Sequence, residues 1–169
     1  MIDHRQNEIV IVEGLKAYLS TPERPCEVVR QNQIVEVPQY PYGSYTVTTP
    51  ISGSKGTYSE AEDGTLYRNI EQTWSFTIQS DDQDEAISLA LRAYDFFAAA
   101  ALTMLADHGI SVIRVQPVTN RDNLVSIEYE YRKGLDITFG LLQRIRPADI
   151  LSNDVIETLN LDDTEIEKR

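Results

Sequence analysis

The hydrophobic positions change period several times along the chain, and each change marks an element. Ile9, Val12, Leu15 and Leu19 recur three or four residues apart, with Glu13 and Lys16 between them, which predicts a helix. Asp3 stands where it can cap that helix, and Pro22 and Pro25 close it. Residues 26–30 (CEVVR) form a short strand candidate. Prolines then space residues 35–41, and a residue before proline avoids the helical region, so extended chain is expected. Residues 42–49 (YGSYTVTT) are aromatic and β-branched and read as a strand. Over 69–80 the alternation is clean. Ile70, Gln72, Trp74, Phe76 and Ile78 share one side, and Glu71, Thr73, Ser75, Thr77 and Gln79 share the other.

The period returns to helical after Ser80. Asp81, Asp82, Asp84 and Glu85 suit a helix N-terminus, where unpaired N–H groups and the dipole favour negative charge. The helix is expected to run to about Asp107. Ile87, Leu91, Tyr94, Ala98, Ala101, Leu102 and Leu105 would form its buried stripe, and His108-Gly109 its end. Three strands follow, over 110–118, 124–132 and 135–143. Turns are expected at 120–123 (NRDN) and at Lys133-Gly134, and Pro147 stops the last strand. The order α-β-β-β-α-β-β-β predicts an α+β fold with two main helices and a mostly antiparallel sheet. One domain over 1–147 is expected, interrupted by a polar loop or hairpin arm at 51–66. Residues 148–169 form an acidic tail. Ile150, Val155, Ile156 and Leu159 give it a sparse helical pattern.

Composition narrows the chemistry. The 169 residues hold 15 Lys and Arg against 27 Asp and Glu, a formal charge of −12. Such a surface repels phosphate and anionic lipid, which disfavours general nucleic-acid or membrane-surface binding. The opening MIDHRQNEIVIVEG lacks the pattern of a secretory leader, and no apolar run approaches the about 20 residues of a membrane span. The expectation is a soluble protein of a reducing compartment.

Cys26 is the lone cysteine, and His4 and His108 are the two histidines. No internal disulfide or thiolate cage is available, so no metal and no cofactor is expected. A nucleophilic triad needs a positioned histidine, and neither histidine has an evident partner. The acids at 81–85 are read as helix-start residues and lack the calcium-loop pattern. Gly53 and Gly56 do not precede a helix or a Gly-Lys-Ser/Thr, so no phosphate loop is present. A carboxylate-only hydrolase needs a deep cleft that nothing in this short chain announces. The sequence therefore predicts no enzyme.

Interaction surface is what remains. Tyr40, Pro41, Tyr42 and Tyr45 supply rigid amphipathic area of the kind enriched at interfaces. The arm adds Lys55, Tyr58, Glu60, Glu62 and Asp63. Glu128, Glu130 and Arg132 alternate on one strand face, which is either solvated or turned toward a partner or channel. These twelve residues are the candidate interface.

Gln31-Asn32-Gln33, then Pro38-Gln39-Tyr40-Pro41-Tyr42-Gly43-Ser44-Tyr45-Thr46-Val47-Thr48, carry a family resemblance. So do the strand Trp74-Ser75-Phe76-Thr77-Ile78-Gln79-Ser80, the acids and alanine-rich helix after it, and the alternating segments 124–132 and 135–143. In this order they resemble the neck or tail terminator proteins of long-tailed bacteriophages and related prophage particles, over residues 5–146. The arm and the acidic tail lie outside the resemblance. It implies a small α+β structural virion protein, assembled in the host cytoplasm, without enzyme activity. It also implies a homohexameric ring on the end of the tail tube. That ring would contact tail tube protein and neck or connector proteins, and sheath protein where the tail contracts. An acidic ring would let DNA pass without binding it. A head–tail connector adaptor is the nearest alternative. An acidic DNA-mimic inhibitor is the alternative from another class, and it would need carboxylates spaced like phosphates.

Overall fold

A computed structural model describes residues 4–32, 36–53, 58–125 and 128–146. Its centre is a mixed sheet. Helix α1 (His4–Leu19) leads into β1 (Glu27–Arg30), β2 (Tyr42–Ser52), β3 (Ser59–Glu60) and β4 (Leu66–Ser80). Helix α2 (Gln83–Asp95), a π-helical turn (Phe96–Ala100) and helix α3 (Leu102–Asp107) follow. Next come β5 (Ile110–Val115), β6 (Thr119–Asn120), β7 (Asn123–Val125) and β8 (Glu128–Ile145). The spatial order is β1-β2-β4-β8-β5. The β1–β2 pair is parallel, and the other pairs are antiparallel. The α+β class holds, with one parallel edge in the sheet.

The alternation over β4 sets which side is covered. Ile70, Trp74, Phe76 and Ile78 face the helices and are buried. Register puts Leu135, Ile137, Phe139 and Leu141 of β8 beside them on that side. Tyr45 stacks on Trp74 with ring centroids 5.6 Å apart, and Phe97 meets Phe76 at 4.9 Å and Phe139 at 5.7 Å. Each fully buried aromatic side chain of this kind contributes about 3 kcal/mol or more. Gln72 shares the covered side, where its Oε1 accepts from Trp74 Nε1 at 3.2 Å. Asp82 caps α2, its Oδ1 accepting from Glu85 N at 2.7 Å, as the acid-rich start predicts. Gly109, with φ +72°, ends the helical region.

Several expectations are corrected. Lys133-Gly134 is no turn. It lies inside the continuous strand β8, paired with Ile78 and Thr77. The period-2 phase runs unbroken through Tyr131, Lys133 and Leu135, so a single 18-residue strand replaces the two expected. The NRDN segment is likewise not a hairpin turn. It is a break between β6 and β7, which both pair with β8. The long helix is interrupted by the π-turn, and its buried stripe is shifted. Ala86, Leu89, Ala90, Ala93, Phe96 and Phe97 are buried, whereas Ile87, Leu91, Ala98 and Leu102 are exposed. The sheet takes both phenylalanines, and the wide turn then brings Ala101 and Leu105 back to the core. Ile9 is exposed, and Ile11 fills the core position beside Val12.

Strand pairing builds the described part of the arm. β2 extends to Ser52, and β3 forms a hairpin with the start of β4. A tight turn joins them, with Ala61 N donating to Thr65 O at 2.9 Å and Gly64 at φ +74°. Asp3, Gln33, Val35, Lys55, Pro147 and the whole of 148–169 lie outside the described residues.

Candidate interface site

The face of the sheet opposite the helices is built from rows of polar side chains. Register aligns Tyr42, Gln79 and Arg132 in one row, Ser44, Thr77 and Gly134 in the next, and Thr46, Ser75 and Asp136 in the third. Thr73 and Thr138 continue it, their hydroxyls 3.4 Å apart. Hydroxyls at alternate β positions give a strand a polar face without adding charge.

Four of the twelve candidate residues converge at one end of this face. Glu130 is buried, 6% exposed, although it is a carboxylate. Its Oε1 accepts from Tyr40 Oη at 3.0 Å and from Tyr42 Oη at 3.3 Å. Its Oε2 accepts from Arg132 Nε at 2.6 Å. The tyrosine rings stack with centroids 5.7 Å apart. Burial, then the bond to Glu130, pushes the Tyr40 phenol up to about 12. Burial and the Glu130 charge raise Tyr42 as well. Both phenols therefore stay protonated and donate, which is what a buried carboxylate requires. Pro41, between them in sequence, is buried and lines a separate hollow with Leu19, Arg24 and Glu85. A cavity of about 360 Å³ opens beside the cluster, with Arg30, Gln31, Glu36 and Val37 on its wall.

Tyr45 does not join this group. It faces the helices, is buried, and donates to the Glu8 carboxylate. The arm residues lie at the other end of β4. Tyr58 is exposed under the Arg68 guanidinium, 5.2 Å from its ring centre. Glu60, Glu62 and Asp63 are exposed around the β3–β4 turn. Asp63 Oδ1 accepts from Thr65 N at 2.9 Å, which holds its carboxyl below the usual range. Lys55 falls outside the described residues, and the backbone of Glu128 pairs with that of Val125.

Two ion pairs were not legible in the sequence, and only the first belongs to this face. Arg121 reaches across β8 to donate to Ser75 Oγ at 2.7 Å, Thr77 Oγ1 at 3.1 Å and Asp136 Oδ1 at 2.9 Å. Burial alone would raise the Asp136 carboxyl, but bonds from Ser75 and Arg121 hold it below its ordinary value. Lys133 Nζ, at the end of the helix-covered side, donates to Asp122 Oδ1 at 2.7 Å and Asn120 Oδ1 at 2.9 Å. Asp122 follows the same logic, with burial overcome by Lys133 and the Arg132 backbone N–H. NRDN reads as turn chemistry, and nothing in it marks Arg121 and Asp122 as partners of a strand 11 to 15 positions later.

Among the described residues no catalytic constellation is assembled. Burial pushes the Cys26 thiol up to about 11, which suppresses its thiolate. His108 Nδ1 lies 2.9 Å from Met104 O at the end of α3, a helix-end contact. Among the described residues no group of His, Cys, Asp or Glu is placed to hold a metal ion, and no helix is long and apolar enough to cross a membrane.

Residues 10–168 match the model of a protein family described as phage neck terminator protein. No curated protein sequence matches the chain.

Proposed function

The chain belongs to the phage neck terminator protein family, whose role in the virion is structural and not enzymatic, and from that premise we propose that it caps the end of the tail tube as a homohexameric ring and joins the tube to the neck. The observation that carries this reading is the family match, which spans the sheet, its helices and the arm. The geometry supports it in two ways. Two carboxylates of the polar sheet face are compensated, Glu130 by Arg132 and Asp136 by Arg121, and the face offers a partner hydroxyls and rigid tyrosine area. The chain's charge of −12 opposes contact with phosphate, which suits a passage for DNA.

The proposed partners are further copies of the chain, tail tube protein and neck or connector proteins, with sheath protein added in a contractile particle. The tyrosine cluster at one end of β4 and the acidic arm at the other are the proposed contacts to the components above and below the ring. Electron microscopy of tubes grown from tail tube protein, with and without the chain, tests this. Capping predicts density at one tube end and arrested growth. Unchanged tubes, with the chain bound instead to portal or adaptor protein, would replace it with the connector role.

A further inference from the structure

Register and a bulge together put an apolar hollow on the polar face. Ser111, Gly140 and Leu142 point away from the helices at the arm end of β5 and β8. The pairing of β5 with β8 shifts between Val112 and Arg114, and this bulge turns Ile113 toward the same face. Ile113 and Leu142 are each 50% exposed and border a cavity of about 580 Å³. Gly140 keeps its floor low, because a Cβ there would sit 2.5 Å from Ser111 Oγ and 3.0 Å from Ile113 Cδ1.

The chain leaves the sheet beside this hollow. Leu142 stands four residues before Arg146, about 13 Å along the strand. Pro147 has no N–H with which to continue the ladder. Ile150 and Leu151 follow Arg146 by four and five residues, a reach of about 13–17 Å. They are therefore the first large apolar residues that can return to Leu142. Val155, Ile156 and Leu159 come after them, and the family match, which extends to residue 168, includes them all.

A second exposed apolar surface, Ile87 and Leu91 on the outer side of α2, lies across the sheet. Asp84 and Asp95 are exposed at helical spacing from it, and residues 149–169 hold seven acids against two bases, so that surface repels the tail. At the hollow, exposed Arg114 offsets Glu71, and the charges balance. We propose that the tail of the same chain turns back over the polar face and seats Ile150 and Leu151 between Ile113 and Leu142. The occupant is the chain's own tail because that tail starts within reach of the hollow. The site is intramolecular, and it stands whether or not the ring forms.

The test labels Ile113→Cys in the full chain with a maleimide, with the native tail and with Ile150→Asp and Leu151→Asp added. Cys26 is buried and gives a slow background, read from the wild type. Ile113 is half-exposed, so cooperative unfolding is expected to persist and is checked first. Leu142→Cys repeats the measurement from the other wall of the hollow. Docking predicts that the new thiol reacts about tenfold faster, or more, once the tail carries the aspartates. It also predicts that the native tail's protection is the same at every protein concentration. Leu91→Cys should react equally fast with either tail. Equal rates at Ile113→Cys and Leu142→Cys with the two tails overturn the proposal. So does protection that fades on dilution, which would assign the hollow to the tail of another copy, and so does a tail that shields Leu91→Cys instead.

Discussion

The Arg121 guanidinium lies directly over Gly134: a Cβ on residue 134 would come within 2.3 Å of Arg121 Nε. Glycine at this strand position therefore serves the arginine, which needs the space to reach Ser75, Thr77 and Asp136. Gly134→Ala is expected to displace the guanidinium and cost about 1–3 kcal/mol in urea unfolding. Arg121→Ala should cost a similar amount. In the Arg121→Ala background the sign of Gly134→Ala should reverse, since alanine suits a strand better than glycine once the clash is gone. A strictly additive double-mutant cycle would contradict the contact.

The Lys133–Asp122 pair makes the fold sensitive to acid. Both side chains are largely buried, 7% and 15% exposed. The Asp122 carboxyl titrates below its ordinary value when folded, so it contributes stability above the unfolded value of about 3.9. That contribution disappears as pH falls through the folded value. Asp136 acts in the same direction. Asp122→Asn should destabilise the protein by about 3 kcal/mol at pH 7, because Lys133 loses its counter-charge. The gap between variant and wild type should close in urea titrations run progressively toward pH 3.

Alkali should act through the tyrosines. Tyr40, Tyr42 and Tyr45 all titrate above the ordinary phenol value when folded. Stability they supply is complete below about pH 10 and is lost as pH rises through the folded values. Tyrosinate absorbance should therefore rise late, together with unfolding. In Glu130→Gln the Tyr40 phenol should ionise at lower pH, having lost its carboxylate partner.

The π-turn behaves as one extra residue in a helix. Deleting Ala99, which is exposed within it, should leave a regular helix that still places Ala101 and Leu105 in the core. A melting temperature within a few degrees of wild type is expected. Deleting the buried Ala90 should instead rotate Phe96 and Phe97 out of the aromatic layer and abolish cooperative unfolding. Equal effects from the two deletions would contradict this account.

Strands with a clean period of two were legible in the sequence. β4 is an example, because one side of it meets a core and the other does not. The same rule contains the fact that β8 is continuous, since Lys133 keeps the phase. A Lys-Gly pair nevertheless imitates a turn, and only the distant Asp122 explains a lysine on the covered side. The helix stripe was misplaced because the π-turn changes the period within it, and a fixed 3.6 spacing favours Leu91 over Phe97. Tyr40, Tyr42, Glu130 and Arg132 each stand out in the sequence as candidates, but their meeting does not. That meeting depends on strand order, which places β4 between β2 and β8.

The most direct test of the ring is the mass of the purified chain by light scattering, alone and with tail tube protein. One copy weighs 19.2 kDa. The account predicts a closed species of about 115 kDa, six copies, either alone or on the tube protein. A single 19.2 kDa species under both conditions would contradict it.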